Sequence, residues 1–210
     1  IIPGLTLARM IKEKYPHLHI TLGGPIFSVN AGQLIGHPEF FDDFCHSVVT
    51  FEGEEPMHRL LSALKAGDSL STVPNLLHLD DREVVHNKER VELRFEELPN
   101  PDFEGLPMDK YLSPYPILPV LQSRGCYWGK CTFCTHSFVY GHRYGKQKTT
   151  AMVDELERLM KKYNTKYFTF SDEAVSPHSL NDVSEEMIER GVEIRSLALL
   201  KFEKVMDEEL

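Results

Sequence analysis

This chain is short of basic residues and has no long apolar run. Its 23 Lys and Arg are outnumbered by 32 Asp and Glu, which gives a formal net charge of -9. That balance argues against a nucleic-acid or anionic-membrane partner recognised through a broad basic face. Because no run of about 18 apolar residues occurs, we expect no membrane-spanning helix. With 41% hydrophobic and 26% charged residues, the 210 positions predict one sizeable core or two small domains.

Cysteine is also scarce, with four in the whole chain. Three are clustered at Cys126, Cys131 and Cys134, and the fourth, Cys45, lies in an aromatic-rich segment. Such a set is a poor disulfide framework, since it leaves an odd thiol in a sequence without a secretory signal. We therefore expect reduced thiols in a cytoplasmic protein, with Cys45 as a buried structural thiol.

The two ends of the sequence have the character of an excerpt. Ile1 stands in place of an initiator methionine and leads directly into a helical pattern, and residues 202–210 are patterned as a helix without a cap. We therefore expect further protein on both sides of this sequence.

The first half alternates helix and strand patterns. In chain order, the predicted elements are a helix over 5–15, a strand over 17–22, a strand over 47–51, a helix closed by Gly67 and a hairpin over 75–86. The first strand ends at Gly23-Gly24-Pro25 and the second at Glu52-Gly53-Glu54. Because strands and helices alternate, we expect an α/β fold with a parallel sheet.

Proline separates this half from the next. Six prolines lie between residues 87 and 119, and proline interrupts helices and central strands, so we predict a linker over 87–116. The elements predicted after it are a strand over 117–122, a helix over 150–163, a strand over 166–170, a helix between Ser176-Pro177 and Gly191, and a strand over 192–199. Such winding is typical of a barrel or doubly wound sheet, in which ligands lie at the carboxyl ends of strands.

A cysteine loop follows the first strand of this second half. Three thiols lie within nine positions, at Cys126, Cys131 and Cys134. Thiolates at this density usually hold metal, and three kinds of site are open. One is a closed zinc site with His136 as the fourth ligand. Another is a plant-type 2Fe-2S cluster, which needs a further downstream cysteine that the sequence lacks, and the third is a 4Fe-4S cluster with one open iron.

This loop, which begins Ser-Arg-Gly-Cys, resembles that of the radical S-adenosylmethionine superfamily. The resemblance implies that the three cysteines bind a 4Fe-4S cluster whose open iron chelates the amino and carboxylate groups of S-adenosylmethionine. Phe133 matches the aromatic residue that precedes the last cysteine in that family, although four residues and not three separate Cys126 from Cys131. Asp172 and Glu173 stand where the family hydrogen-bonds the methionine amino group. The resemblance thus assigns Phe133, Asp172 and Glu173 to S-adenosylmethionine.

The order of the whole chain resembles the cobalamin-binding radical S-adenosylmethionine enzymes. In those proteins a Rossmann-like domain that grips cobalamin precedes the barrel. The resemblance carries cobalamin contacts onto the loops after the first two strands, at Gly23, Gly24, Glu52, Gly53 and Glu54. A histidine ligand to cobalt would come from a loop before Ile1, and we predict that His17 and His19 are surface or packing residues.

The resemblance therefore implies three segments: the C-terminal part of a Rossmann-like cobalamin-binding domain over 1–86, a Pro-rich linker over 87–116, and the N-terminal part of a radical S-adenosylmethionine barrel over 117–210. It implies reductive cleavage of S-adenosylmethionine to a 5'-deoxyadenosyl radical, for cobalamin-dependent methyl transfer to a small-molecule or peptide substrate. A flavodoxin or ferredoxin would donate the electron. The alternatives are a radical cyclase or methylthiotransferase, an iron-sulfur electron-transfer module and a zinc-binding module.

Overall fold

The computed structural model describes residues 1–89, 91, 95, 98–139 and 143–203. Its helices are α1 (Ile2–Lys14), α2 (Pro25–Leu34), α3 (Pro38–Asp43), α4 (Glu54–Ala66), α5 (His136–Val139), α6 (Thr149–Tyr163) and α7 (Pro177–Arg190). Its strands are β1 (Thr21–Leu22), β2 (Ser47–Val49), β3 (Leu76–Asp80), β4 (Glu83–His86), β5 (Ile117–Val120), β6 (Ser123–Arg124), β7 (Gly145–Lys146), β8 (Tyr167–Phe170) and β9 (Arg195–Leu197). Most of the helix predicted over 202–210 lies outside the described residues.

The chain folds as two compact units. The first comprises Ile1–Leu93 with Phe138–Gly141, and the second Arg94–Ser137 with His142–Leu210. The division after Leu93 falls within the segment predicted as a linker. Each unit has its own sheet and its own hydrophobic core.

The first unit contains a four-stranded mixed sheet in the order β1-β2-β3-β4. β1 and β2 are parallel as predicted, but β3 and β4 join the same sheet antiparallel, so the expectation of a parallel sheet is wrong for these two strands. β3 pairs antiparallel with β2, and the tight turn after β3 makes β4 antiparallel to β3. Asp81 and Arg82 both have positive φ, at 44° and 68°, the conformation that two-residue hairpin turns require.

The first core is built on β2, β3 and the helices beside them. Its buried members are Ala31, Phe41, Cys45, Val48 and Leu77. Cys45 has no exposed surface, which confirms the prediction of a buried thiol, and burial raises its pKa to about 12. The hairpin over 75–86 and the helix closed by Gly67 are also confirmed. The apolar residues Leu7 and Met10 of α1 form a helix as expected, yet both remain more than half exposed.

The sequence patterns do not predict two helices of the first unit. α2 begins at Pro25 directly after Gly24, and α3 begins at Pro38. Proline is tolerated in a first helical turn because its missing N–H would have no helical partner there. A Gly-Gly-Pro sequence therefore both ends β1 and starts α2, and the sequence pattern indicated only the first of these roles.

The second unit is wound as predicted. Its sheet is parallel, in the order β5-β8-β9, and α6 and α7 connect successive strands. Val153 and Leu156 of α6 are fully buried against Phe168 of β8, so the apolar stripe of this helix is confirmed. Ser176 caps α7 by accepting a hydrogen bond from the Ser179 N–H, and Gly191 ends the helix in a left-handed conformation.

The proline-rich segment is attached to the second unit between residues 101 and 108. The Phe103 N–H donates to the Tyr163 hydroxyl (2.7 Å), and Arg158 donates to the Pro101 carbonyl (2.9 Å). Lys162 forms an ion pair with Asp102 (2.8 Å) and holds the pKa of that carboxyl well below its usual value. This part of the predicted linker is therefore packed on α6.

Candidate functional site

The cysteine loop (residues 125–135) is closed at its base by a short antiparallel pair. β6 pairs with β7, with Ser123 opposite Lys146 and Arg124 opposite Gly145. The strand β5, two residues upstream of β6, is the first of the parallel sheet. The loop therefore begins at the carboxyl end of a parallel strand, where α/β folds bind ligands.

Gly125 makes the turn into this loop, at a φ of +87°. A Cβ at this position would lie 2.1 Å from the Arg143 carbonyl oxygen, far inside van der Waals contact. Both the backbone conformation and the close approach therefore require glycine. Gly129, between the first two cysteines, also has a positive φ, of 58°.

All three loop cysteines are free thiols outside the hydrophobic core. Cys126 and Cys134 are half-buried and Cys131 is exposed. The Cys134 N–H donates to the Cys131 carbonyl (3.2 Å), so these two lie on one turn. Within the described part of the chain, no three His, Cys, Asp or Glu side chains converge as they would on a single metal ion. Cys45, sealed in the first core, is not available as a further ligand.

Asp172, predicted to contact S-adenosylmethionine, is turned into the protein. Its side chain is buried, and it accepts hydrogen bonds from the Gln122 N–H (3.1 Å), the Ser123 N–H (2.5 Å) and the Ser123 hydroxyl (2.5 Å). The carboxylate at the end of β8 thereby fixes the backbone at the exit of β5. The sequence pattern placed Asp172 at the correct edge of the sheet but gave no sign of Gln122 and Ser123.

Glu173 and His136 lie together at the same edge. His136 Nδ1 is 3.2 Å from Glu173 Oε2, and both side chains are partly accessible. The closed zinc site would use His136 as its fourth ligand, and one ring nitrogen of His136 faces the Glu173 carboxylate. Glu173 is therefore a partly accessible acid near the cysteine loop, paired with His136.

The aromatic residues of the loop have contrasting surroundings. Phe133 is 89% exposed, which is unusual for so large an apolar side chain. Tyr127 donates a hydrogen bond to Glu203 Oε1 (2.8 Å), and Lys201 Nζ lies 3.8 Å from the centre of the Trp128 ring. The sequence patterns indicated no role for Lys201 or Glu203, because they lie beyond β9 and nothing in the local pattern marks them.

Two glycine-containing loops meet at the carboxyl edge of β1 and β2 in the first unit. Gly24 caps α2 with a φ of +106°, and a Cβ there would meet nothing within 4 Å. Gly53 caps α4, whose first residue is Glu54. The Phe51 N–H donates to the buried Ser28 hydroxyl (2.7 Å), which ties the second loop to α2.

These contacts bring together the residues predicted for cobalamin. Gly23 and Gly24 lie on the loop after β1, and Glu52, Gly53 and Glu54 lie on the loop after the adjacent β2. Glu52 is half-buried and Glu54 is exposed. The two loops therefore form a single edge with open space above Gly24.

His19 lies half-buried at the start of β1, and its Nε2 is hydrogen-bonded to the Ser47 hydroxyl (2.9 Å). Burial, together with the charges of His46 and Lys12, lowers its pKa to about 4. This agrees with the prediction that His19 is a packing residue. His17 is exposed.

In the part of the chain that the structure describes, no helix combines the length and apolar character needed to cross a membrane.

Comparison with known proteins gives relatives at 27% identity. The chain is 27% identical over 193 residues to an uncharacterised methyltransferase of Pyrococcus horikoshii, covering 90% of this chain and 41% of that protein. It is 27% identical over 192 residues to the anaerobic magnesium-protoporphyrin IX monomethyl ester cyclase of Cereibacter sphaeroides, covering 88% of this chain and 30% of that one. No family model matches the chain.

The fold is similar to that of a solved radical enzyme. The radical S-adenosylmethionine methyltransferase TsrM of Kitasatospora setae superposes with a TM-score of 0.68 at 20% identity, over 95% of this chain and 41% of that one. TsrM has been solved with tryptophan and an S-adenosylmethionine analogue, and also with cobalamin and a [4Fe-4S] cluster. The family resemblance predicted from the sequence is thus confirmed, for a chain that spans less than half the length of these relatives.

Proposed function

We propose that this chain is part of a radical S-adenosylmethionine enzyme that transfers a methyl group with the help of cobalamin. The observation that carries the proposal is the position of three free thiols on a glycine-turned loop at the carboxyl edge of a parallel sheet. Related methyltransferases and the similarity to TsrM support it. The unit divisions proposed are a partial Rossmann-like cobalamin domain over 1–86, a linker over 87–116 and the first part of a barrel over 117–210.

Cys126, Cys131 and Cys134 would hold a 4Fe-4S cluster. Three thiolates suit a cubane with one open iron. When bound, the reduced cluster and cobalamin supply the chemistry: one-electron cleavage of S-adenosylmethionine into methionine and a 5'-deoxyadenosyl radical, and carriage of the methyl group. A flavodoxin or ferredoxin is the proposed source of that electron.

Glu173 and Phe133 are the proposed contacts to S-adenosylmethionine. Glu173 is an accessible carboxylate that suits an ammonium group, and the exposed ring of Phe133 offers an apolar face. Asp172 would support these contacts indirectly, because its oxygens already accept three internal hydrogen bonds. Its proposed part is to hold the cysteine loop and Glu173 at one edge.

The first-unit edge is the proposed cobalamin contact. Gly23 and Gly24 leave room for close approach of a bulky ligand, since a Cβ at Gly23 would make only an ordinary 3.5 Å contact and one at Gly24 none. Glu52, Gly53 and Glu54 would line the neighbouring loop.

A radical cyclase is the second candidate. The similarity to the magnesium-protoporphyrin monomethyl ester cyclase is comparable to that of the methyltransferase, at 27% identity over nearly the same length. Methylthiotransfer, an electron-transfer module and a zinc module are the further outcomes that the experiment below separates.

The test is anaerobic reconstitution with iron and sulfide, followed by dithionite and S-adenosylmethionine, in the full-length parent protein. We expect about four irons per chain and formation of 5'-deoxyadenosine. Cys131→Ala should abolish both, whereas Cys45→Ala, which alters a thiol buried in the first core, should retain the iron. A bound cluster without cleavage indicates electron transfer, and stoichiometric zinc after aerobic purification contradicts the proposal.

Cobalamin is tested separately, by its visible absorbance after gel filtration of the mixture. A Gly24→Val variant should weaken cobalamin binding while leaving the iron content unchanged. Gly67→Val is the matched control, because Gly67 is another open, positive-φ glycine but lies at the far end of α4. Methylated product in the presence of cobalamin favours the transferase, and cyclised product favours the cyclase.

A further inference from the structure

Two aromatic residues of the cysteine loop contact the segment that follows β9. The Tyr127 hydroxyl donates to Glu203 Oε1 (2.8 Å), and Lys201 Nζ lies 3.8 Å from the centre of the Trp128 ring. Lys201 also donates to the same Glu203 oxygen (3.1 Å). The four side chains thus form a closed chain of contacts, which we call the aromatic clamp.

The clamp joins two segments of the second unit that are distant in the sequence. Tyr127 and Trp128 immediately follow Cys126, on a loop that is largely outside the core. β9 is the outer strand of its sheet, and all three of its residues are exposed. A cation over an indole face and a shared carboxylate are directional contacts that can fix such segments.

We propose that Lys201 and Glu203 are positioning residues that hold Tyr127 and Trp128, and through them Cys126, in the conformation that receives the cluster. This inference rests on the proposed function for its iron-binding consequence. The clamp itself consists only of residues of this chain. The end of the third parallel strand would thereby control how well the loop after the first strand retains its cluster.

Trp128 gives a direct test, because it is the single tryptophan of the sequence. The measurement is acrylamide quenching of tryptophan fluorescence in the cofactor-free 210-residue chain. Lys201→Met should raise the quenching constant about twofold, since the ring loses the cation that covers it. Lys130→Met is the matched control, because Lys130 lies farther away, 5.0 Å from the ring centre, and is exposed.

The second measurement is the rate at which reconstituted protein loses iron to a chelator under anaerobic conditions. Lys201→Met and Glu203→Gln should release iron several-fold faster than the wild type, with unchanged circular dichroism. Equal quenching in Lys201→Met and Lys130→Met would overturn the clamp. Altered quenching with unaltered iron release would overturn its role in holding the cluster. A wild-type protein that takes up no iron defeats the proposed function and that role together, while the quenching data still decide whether the clamp exists.

Discussion

The carboxyl edges of the two sheets are organised differently. In the first unit, β1 and β2 pass into α2 and α4 through short glycine-containing loops, and a bond from the Phe51 N–H to the Ser28 hydroxyl ties the second loop to α2. In the second unit, a long cysteine loop is held by the buried carboxylate of Asp172 and by a glycine turn. Glycines, which have no side chain, leave the first edge open. The second edge is fixed by a buried side chain that accepts hydrogen bonds.

This difference matches what each edge is proposed to hold. A bulky organic cofactor needs room and backbone access, which small residues provide. A cluster held by three thiolates needs a loop whose ligands are brought together at little entropic cost, which internal hydrogen bonds provide. Substitutions at equivalent points of the two edges should therefore have unequal effects.

The largest effect is expected from Gly125→Ala. The new Cβ would meet a backbone oxygen at 2.1 Å and would occupy a positive φ, so the loop must move, at a cost of at least about 3 kcal/mol. Gly24→Ala in the first unit has a positive φ but open space, and should cost about 1–3 kcal/mol. The measurement is the free energy of unfolding in urea.

Gly145→Ala serves as the control for this pair. Gly145 lies opposite the same loop base, and a Cβ added to it would meet no atom within 4 Å, so this variant should change stability by less than about 1 kcal/mol. If Gly125→Ala is no more destabilising than Gly145→Ala, the close approach to Arg143 does not constrain the loop.

The next effect is expected from Asp172→Asn. In the wild type, backbone N–H groups donate to the Asp172 carboxylate, and the asparagine amide would turn an N–H₂ group towards them. The free energy of unfolding should therefore fall by about 2–3 kcal/mol. Asp182→Asn removes a half-exposed carboxylate that lies 3.9 Å from Lys146, and should change stability by no more than about 0.5 kcal/mol. Thermal and urea unfolding would measure both, and equal losses in the two variants would show that Asp172 is not an anchor.

Sequence patterns predicted those features that are local. α6 and α7 were predicted because each carries an apolar stripe and α7 has a serine cap and a closing glycine. The partners of Asp172 and Tyr127 could not be predicted in this way, because these bonds join residues 50 and 76 positions apart. Only the rule that parallel strands present their carboxyl ends together placed Asp172 and the cysteines at one edge.

Short elements were also difficult to predict from the sequence. α3 has six residues, too few for a helical period to emerge, and β1 has two. The hairpin of β3 and β4 was recognised, but its membership of the β1-β2 sheet depends on β2 pairing with β3 across α4, which no local pattern records.

A smaller effect is expected at the first-unit edge from Ser28→Ala. The variant leaves the Phe51 N–H without its acceptor beside a buried position, which should cost about 1–2 kcal/mol. Ser62→Ala, on the exposed face of α4, should stay within about 0.5 kcal/mol of the wild type. Hydrogen exchange at the Phe51 amide would locate the change, and an unaltered exchange rate would remove Ser28 as the tie between the two loops.

A further effect, which depends on pH, concerns the opposite, amino end of β1. His19 has its pKa lowered to about 4 by burial first and then by His46 and Lys12, whereas an unfolded histidine titrates near 6.5. The unfolded chain therefore binds this proton first as the pH falls, so the contribution of neutral His19 is present above about pH 6.5 and is lost as the pH approaches about 4. In His19→Gln, which keeps a polar partner for Ser47 but cannot titrate in this range, the free energy of unfolding should fall less over that interval than in the wild type. The exposed His17→Gln should follow the wild type, and parallel pH curves for His19→Gln and the wild type would show that His19 does not carry this dependence.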